Sequence, residues 1–148
     1  MNSEAMAELY QQMILEHNKK PKNFHKMADA THFAEGFNPL CGDHYTVYMK
    51  MNGDQVEEVS FEGSGCAISK ASGSMMTAHL KGKNKEEALK NFEAFHQLLL
   101  GQSEAGEILG KLKIFSGIWK YPSRVKCASL SWHAMKSAIL GIDRATTE

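Results

Sequence analysis

The order of hydrophobic patterns along this 148-residue chain predicts an α+β fold. A helical pattern opens the chain, alternating strand patterns follow it, and further helical patterns complete it. Strands and helices that are segregated in this way usually form a small antiparallel β-sheet with helices packed on one face. The length suits one domain, and no internal repeat, low-complexity tract or linker divides the chain. We therefore predict a single domain over residues 1–148.

The first part of the chain predicts a helix, a loop and then a hairpin. Residues 3–18 carry apolar side chains at steps of three and four, which predicts a helix with Ser3 as its N-cap. Residues 22–43 predict a loop with one irregular strand. In residues 44–65, apolar and polar side chains alternate on both sides of an Asn-Gly-Asp turn signal, so we predict a β-hairpin with one face toward the core.

The remaining segments repeat apolar residues at helical spacing. One helix begins after the hairpin with Ser64 as its candidate cap, and another ends at Gly101, because glycine commonly closes helices. A shorter amphipathic piece and a well-marked C-terminal helix follow them. The predicted helical segments are residues 68–79, 82–101, 105–112 and 121–141.

Composition argues against several classes of partner and location. The chain has 17 basic and 17 acidic residues and no basic block, so we expect no nucleic-acid partner. No apolar run approaches the roughly 20 residues that span a bilayer, so we expect no membrane insertion. The N-terminus lacks the basic start and apolar core of a signal peptide. Three cysteines, an odd number without an export signal, predict a reducing cytoplasm.

Each cysteine lies where one predicted element meets the next. Cys41 precedes the first hairpin strand, Cys66 follows the hairpin and begins a helix, and Cys127 lies in the first turn of the last helix. Because a helix N-terminus favours the thiolate, we expect lowered pKa values for thiols at such positions. Thiolate is also the form that binds metal. The alternative is that all three are small buried core residues, which is common for cysteine.

A metal ion would need one ligand more than the three cysteines supply, since zinc prefers four. Asp43 is the strongest candidate, because Cys41 and Asp43 can turn toward one point if Gly42 adopts an unusual backbone angle. His44 should point to the opposite side of the strand, and His133 lies nearly two helical turns beyond Cys127. A carboxylate among soft sulfur ligands favours a site from which one ligand can leave.

Three motifs together resemble one family. The stretches NPLCGD, FEGSGCAISKASGSMM and RVKCASLSW are similar to those of the U-type iron–sulfur cluster assembly proteins, which include IscU, the N-terminal domain of NifU, and SufU. The resemblance covers nearly the whole chain and is greatest to the SufU branch. Lys126 stands where IscU-type members carry histidine, and YPSRVKC replaces their proline-rich chaperone segment. The segment between Cys66 and Cys127 is also longer than in IscU.

This resemblance implies an IscU-like α+β fold and a zinc ion held by Cys41, Asp43, Cys66 and Cys127. It implies a zinc-dependent sulfurtransferase whose Cys41 accepts persulfide sulfur from a PLP-dependent cysteine desulfurase of the SufS type. Downstream Suf scaffold proteins are candidate acceptors, and Arg124 is a candidate contact for the desulfurase. The alternative within the family is a scaffold that assembles a transient [2Fe–2S] cluster. A cysteine hydrolase and a zinc-stabilised adaptor without chemistry are further alternatives.

Overall fold

The computed structural model describes residues 3–102, 107–142 and 144–146, and its elements follow the predicted order. Two 3₁₀ segments, Glu107–Phe115 and Ile118–Lys120, connect the third helix to the fourth. The α+β class is confirmed. The helices and strands are α1 (Ser3–Lys19), β1 (His32–Asn38), β2 (Asp43–Asn52), β3 (Gln55–Ser64), α2 (Ala67–Leu80), α3 (Lys85–Leu99), α4 (Pro122–Ile139) and β4 (Arg144–Thr146).

The four strands form one sheet in the order β3-β2-β1-β4. The pairs β1–β2 and β2–β3 are antiparallel, as predicted for the sheet, and the predicted hairpin is β2–β3. Asn52 pairs with Gln55, so the turn has two residues, and Gly53 adopts φ +60° there. Such positive angles are typical of the tight turns that match strand twist. The short strand β4 pairs in parallel with β1 and was not predicted.

The helices pack on one face of the sheet, as predicted. Tyr45, Val47 and Met49 alternate along β2 and are fully buried beneath that helical layer. Residues of β1 on the opposite face, Phe33 and Phe37, remain exposed. Helix α4 lies against β1 and β2, α2 lies against β3 and α4, and α1 covers α2. The alternation therefore assigned the buried face of the hairpin correctly.

One close approach fixes the position of α4 on the sheet. A Cβ atom built on Gly36 of β1 would lie 3.1 Å from Leu130 Cδ1 and 3.2 Å from Ala134 Cβ. Such distances are tighter than nearly all real Cβ contacts, so an alanine at position 36 would require its neighbours on α4 to shift by a few tenths of an ångström. Helix α4 also carries Cys127.

Three predicted helix boundaries need correction. The N-cap of α2 is Cys66 rather than Ser64, because the Cys66 side chain accepts the Ser69 backbone N–H. Helix α4 begins at Pro122, so Cys127 lies in its second turn, not its first. The predicted amphipathic segment starts with residues 105 and 106, which lie outside the described residues; from Glu107 onward it is a 3₁₀ segment.

Helix α3 begins with a capping box in which Asn84 and Glu87 satisfy each other's backbone N–H groups, as expected for a solvated first turn. In the part of the chain that the structure describes, no helix combines the length and the apolar content that crossing a bilayer requires.

Gly63 provides a test of the hairpin geometry. Its φ of +139° is rare for other residues, and an added Cβ would overlap the His44 carbonyl oxygen and lie 2.8 Å from Tyr45 Cα. Because both obstacles are backbone atoms, we expect Gly63→Ala to lower the free energy of unfolding by about 3 kcal/mol or more. Urea denaturation measures this. The control Gly117→Ala has no heavy atom within 4 Å and should change stability by less than about 0.5 kcal/mol. Equal effects of the two variants would contradict this account of the hairpin.

Candidate metal centre

Cys41 and Asp43 flank Gly42 in the tight turn that connects β1 to β2. Asn38 and Asp43 are the last pair of the β1–β2 ladder, and the Asn38 carbonyl accepts the Gly42 N–H at 2.9 Å. Gly42 adopts φ +71°, the unusual angle that the sequence predicts there. The turn leaves Cys41 exposed and directs Asp43 inward, where only 2% of its surface remains accessible.

Three predicted ligands come together at this turn. One ligand atom each from Cys41, Asp43 and Cys127 lies within 4.8 Å of the other two. The Sγ atoms of Cys41 and Cys127 are 3.6 Å apart, although 86 residues separate them in the sequence. Cys127 is 1% exposed. This group of two sulfurs and one carboxylate can hold a metal ion, and it excludes the reading of all three cysteines as buried core residues.

Cys66, the fourth predicted ligand, lies beside this group but not within its 4.8 Å limit. Its backbone N–H donates a hydrogen bond to Asp43 Oδ1 at 3.2 Å. Its half-buried thiol lies near enough to Cys127 for the two groups to influence each other's pKa, and it accepts the Ser69 N–H at 3.5 Å. Cys66 therefore orients the Asp43 carboxylate through its backbone, while its sulfur remains next to Cys127.

The two neighbouring thiols differ in acidity. Interaction with the Cys127 thiol is the main cause that lowers the pKa of the Cys66 thiol to about 5. Burial opposes this shift, and the backbone N–H and hydroxyl of Ser69 add to it. The same contact, together with burial, raises the pKa of Cys127. The expectation of a lowered pKa is thus confirmed for Cys66 and wrong for Cys127. Cys127 lies in the second turn of its helix, away from the free N–H groups.

Asp43 forms no ion pair with any of the described residues. Asp43 Oδ2 is buried and has no hydrogen-bond partner within that part of the protein. A buried carboxylate without full compensation is costly, and nearby thiolates increase that cost. Sulfur and carboxylate oxygen atoms are ligands of zinc, and thiolates also hold iron. The residues present therefore fit a metal ion.

Tyr45 and Ser69 support the centre, and the sequence analysis did not identify them. The Ser69 hydroxyl donates to the Cys66 carbonyl at 2.9 Å, so the Tyr45 hydroxyl must donate to Ser69 Oγ at 3.0 Å. Burial is the main cause that raises the pKa of Tyr45 to about 12, and the charge of Asp43 raises it further. The phenol therefore keeps its proton. Tyr45 shares the inward face of β2 with Asp43, which is the signal that could have indicated it.

The rival ligands lie elsewhere, as predicted. His44 is exposed on the other side of β2, with Nε2 at 3.8 Å from Glu35 Oε1. His133 packs edge-on against the rings of Phe92 and His96 between α3 and α4. Arg124 is exposed on the first turn of α4. Neither histidine joins the group formed by Cys41, Asp43 and Cys127.

Comparison with known proteins assigns the family. The sequence pattern of the NifU-like N terminal domain matches residues 9–128, most of the chain. The chain belongs to this family. The matched range spans the positions of all four predicted ligands. The predicted resemblance to U-type iron–sulfur cluster assembly proteins is confirmed.

Relatives of this NifU-like chain come from both named branches. The zinc-dependent sulfurtransferase SufU of Bacillus subtilis is 42% identical over 132 residues, which cover 88% of this chain and 89% of that protein. The iron–sulfur cluster assembly scaffold protein IscU of Streptococcus pyogenes is 39% identical over 132 residues, with 88% and 82% coverage. A crystal structure of an assembly scaffold protein for the SUF system from Fervidobacterium islandicum AW-1 matches with a TM-score of 0.83 at 36% identity. It covers 93% of this chain and 99% of that one.

Gly65 tests how the centre is supported. A Cβ atom there would lie 2.5 Å from Ser69 Oγ, 2.6 Å from the Tyr45 hydroxyl and 2.8 Å from Asp43 Oδ1. We expect Gly65→Ala to displace the carboxylate and weaken metal binding roughly 10- to 100-fold, as changes next to metal ligands do. Competition with a chromogenic chelator measures this affinity. Ser64→Ala, at the exposed neighbouring position, should leave it unchanged; a loss of equal size in both variants would refute the role assigned to Gly65.

Proposed function

We propose that this NifU-like domain is a zinc-dependent sulfurtransferase of iron–sulfur cluster assembly. It would accept persulfide sulfur on Cys41 from a PLP-dependent cysteine desulfurase of the SufS type. One observation carries the proposal: among the described residues, Cys41 is the one exposed thiol in a ligand group whose Asp43 and Cys127 members are buried. The 42% identity to a protein named as a zinc-dependent sulfurtransferase supports it.

The proposed zinc ligands are Cys41, Asp43, Cys66 and Cys127. Two observations support this set. Thiolates and carboxylates are ligands of zinc, and Asp43 Oδ2 is buried without a hydrogen-bond partner among the described residues. When bound, zinc supplies the positive charge that keeps thiolates deprotonated near neutral pH. Within the protein, Cys66 N–H holds Asp43 in place, and Ser69 N–H supports the Cys66 sulfur.

Transfer then needs only the chemistry of thiol–disulfide exchange. The Cys41 thiolate attacks the outer sulfur of the desulfurase persulfide, a new S–S bond forms at Cys41, and the donor S–S bond breaks. The desulfurase cysteine leaves as a thiolate, and the transferred sulfur keeps its own proton or negative charge. No external oxidant or reductant is required. The exposed turn between β1 and β2 is what allows Cys41 to reach a sulfur held by another protein.

The proposal also includes the cytoplasm as the location, Suf scaffold proteins as acceptors and Arg124 as a contact for the desulfurase. A thiolate acceptor needs a reducing compartment, which supports the cytoplasm as its location. Persulfide on an exposed cysteine must next be passed on, so the downstream acceptors would be Suf scaffold proteins. The exposed position of Arg124, at the start of the helix that carries Cys127, suits a contact with the desulfurase.

Cluster assembly is the second candidate function. The Streptococcus pyogenes relative is named as an assembly scaffold, and so is the matching protein from Fervidobacterium islandicum. The Cys41 and Cys127 sulfurs and the Asp43 carboxylate, with the Cys66 sulfur beside them, could also hold iron as part of a [2Fe–2S] cluster. In that case the cluster is cargo that is built here and transferred to another protein.

Metal and acid-labile sulfide content separates these two functions. We expect the untagged protein, purified without oxygen or added metal, to contain about one zinc per chain and no sulfide, because the ligand set suits a single tetrahedral ion. Elemental analysis and a sulfide assay measure both quantities. Iron with matching sulfide would favour the scaffold instead. Absence of any metal would refute both functions as stated.

Cys41→Ser tests the transfer step. With a SufS-type desulfurase and cysteine, we expect the wild-type protein to raise turnover and to gain one sulfur on Cys41, detectable by peptide mass spectrometry. The variant should lose this stimulation entirely, since an alcohol at this pH does not attack a persulfide. Circular dichroism would check that it folds.

A second variant controls for mere thiol exposure. Ser116 is exposed in the connection before α4 and lies outside the ligand group. Adding Ser116→Cys to the Cys41→Ser protein restores an exposed thiol without restoring the centre, so stimulation should stay absent. Stimulation that survives in Cys41→Ser, or returns with Ser116→Cys, would exclude Cys41 as the specific acceptor.

A further inference from the structure

A cavity lies apart from the metal centre, and the proposed function makes no use of it. It has a volume of about 400 Å³ and lies between α1, α2 and the 3₁₀ segment Glu107–Phe115. Its apolar walls include Met75, Leu109 and Leu112. None of the four proposed metal ligands lines it. Ligand pockets commonly have volumes of about 300–1,000 Å³ and mostly apolar walls with a few polar groups, so this cavity is large enough for a small molecule.

Positive charges converge on this cavity from three parts of the chain. Lys20 lies just beyond the end of α1, Lys22 two residues later, and Lys111 on the 3₁₀ segment. Glu16 is the one acidic residue in the lining, so the charged lining has a net charge of +2 with neutral histidines. Among the described residues, none of these three lysines forms an ion pair. Uncompensated like charges around one apolar space favour an anion there.

His17 adds a hydrogen-bond donor to the lining. Ser74 Oγ accepts the Lys22 backbone N–H at 2.8 Å, so its own proton is available for His17 Nδ1 at 2.7 Å. We assign the hydroxyl proton to this contact, which leaves the proton of the neutral ring on Nε2. Burial is the main cause that lowers the pKa of His17, and the charges of Lys22 and Lys111 lower it further. The ring is therefore neutral at pH 7 and offers an N–H without a full charge.

We propose that this cavity binds a small organic anion, an apolar body that ends in a carboxylate or a phosphate. The methionine and leucine side chains would contact the body. Lys20, Lys22 and Lys111 would bind the anionic group, and the polar lining suits either kind of oxyanion. This proposal is independent of the metal and of sulfur transfer, because the two sites share no residue.

Titration with matched probes tests the proposal. The ¹⁵N-labelled full chain is titrated with octanoate, octyl phosphate and octan-1-ol, which share one apolar body, and amide shifts are followed by NMR. We expect saturable shifts at the cavity with at least one anion and clearly weaker binding of the alcohol. The stronger of the two anions identifies the preferred group. No saturable shift at the cavity, or equal affinity for the alcohol, would overturn the proposal.

Three variants assign the binding to these residues. Lys111→Gln should weaken anion binding roughly two- to fivefold, the range for one partly exposed charge pair. Lys113→Gln is the matched control on the same 3₁₀ segment, because Lys113 is exposed and does not line the cavity. Ala78 lines the cavity, and Ala78→Phe should fill it and abolish binding without altering any charge. Equal losses in Lys111→Gln and Lys113→Gln, or undiminished binding by Ala78→Phe, would refute the assigned site.

Discussion

The hydrogen bond from the Cys66 N–H to Asp43 Oδ1 is the contact on which the metal centre depends. It joins the first residue of β2 to the N-cap of α2, and so it connects the two ends of the hairpin. One carboxylate oxygen is satisfied by this bond, while the other is buried without a partner among the described residues. A carboxylate held in this way beside two sulfurs is unfavourable unless a cation compensates it. The bond therefore holds Asp43 in a buried position where its second oxygen, Oδ2, favours a bound metal ion.

The position of Cys127 depends on packing rather than on the turn. Gly36 lets α4 approach β1 closely enough for Leu130 and Ala134 to lie against the strand, and Cys127 precedes both residues on that helix. An alanine at position 36 would require Leu130 or Ala134 to shift by a few tenths of an ångström, and Cys127 lies on the same helix. Interaction between the two thiols is the main cause that raises the pKa of Cys127 and lowers the pKa of Cys66, and burial raises the pKa of Cys127 further. Their mutual contact therefore makes the two thiols chemically different.

Local signals predicted the hairpin, the helices and the residues that meet at the centre. Sequence periodicity could not locate helix ends to the residue, since Ser64 and Cys66 are both small polar candidates before α2. Only the hydrogen bond to Ser69 distinguishes them. For Cys127 the signal was present: proline favours the first helical position, so Pro122 already placed the cysteine in the second turn.

The features that the sequence could not indicate depend on non-local contacts. Strand β4 has three residues and pairs in parallel with β1, which lies more than 100 residues earlier in the chain. The path of the chain after α4 brings β4 next to β1. The three residues of β4 are too few to show a strand pattern in the sequence. The Tyr45–Ser69 hydrogen bond similarly joins residues 24 apart that only the folded hairpin brings together. Sequence motifs can identify the metal ligands because only a few residue types bind metal. The residues that hydrogen-bond to those ligands need mainly the right shape and position, so a motif does not identify them.

Helix α2 takes part in both proposed sites. Its N-cap, Cys66, belongs to the metal centre, and Met75 and Ala78 near its other end line the cavity. Residues 71–77 of this helix are all buried, so the helix cannot slide or rotate without repacking the core. Coupling between two sites requires an element with two arrangements that both ligands bias. A helix fixed by burial along its middle offers no second arrangement of low energy. The fold therefore favours two energetically independent sites, with the metal centre insulated from whatever occupies the cavity.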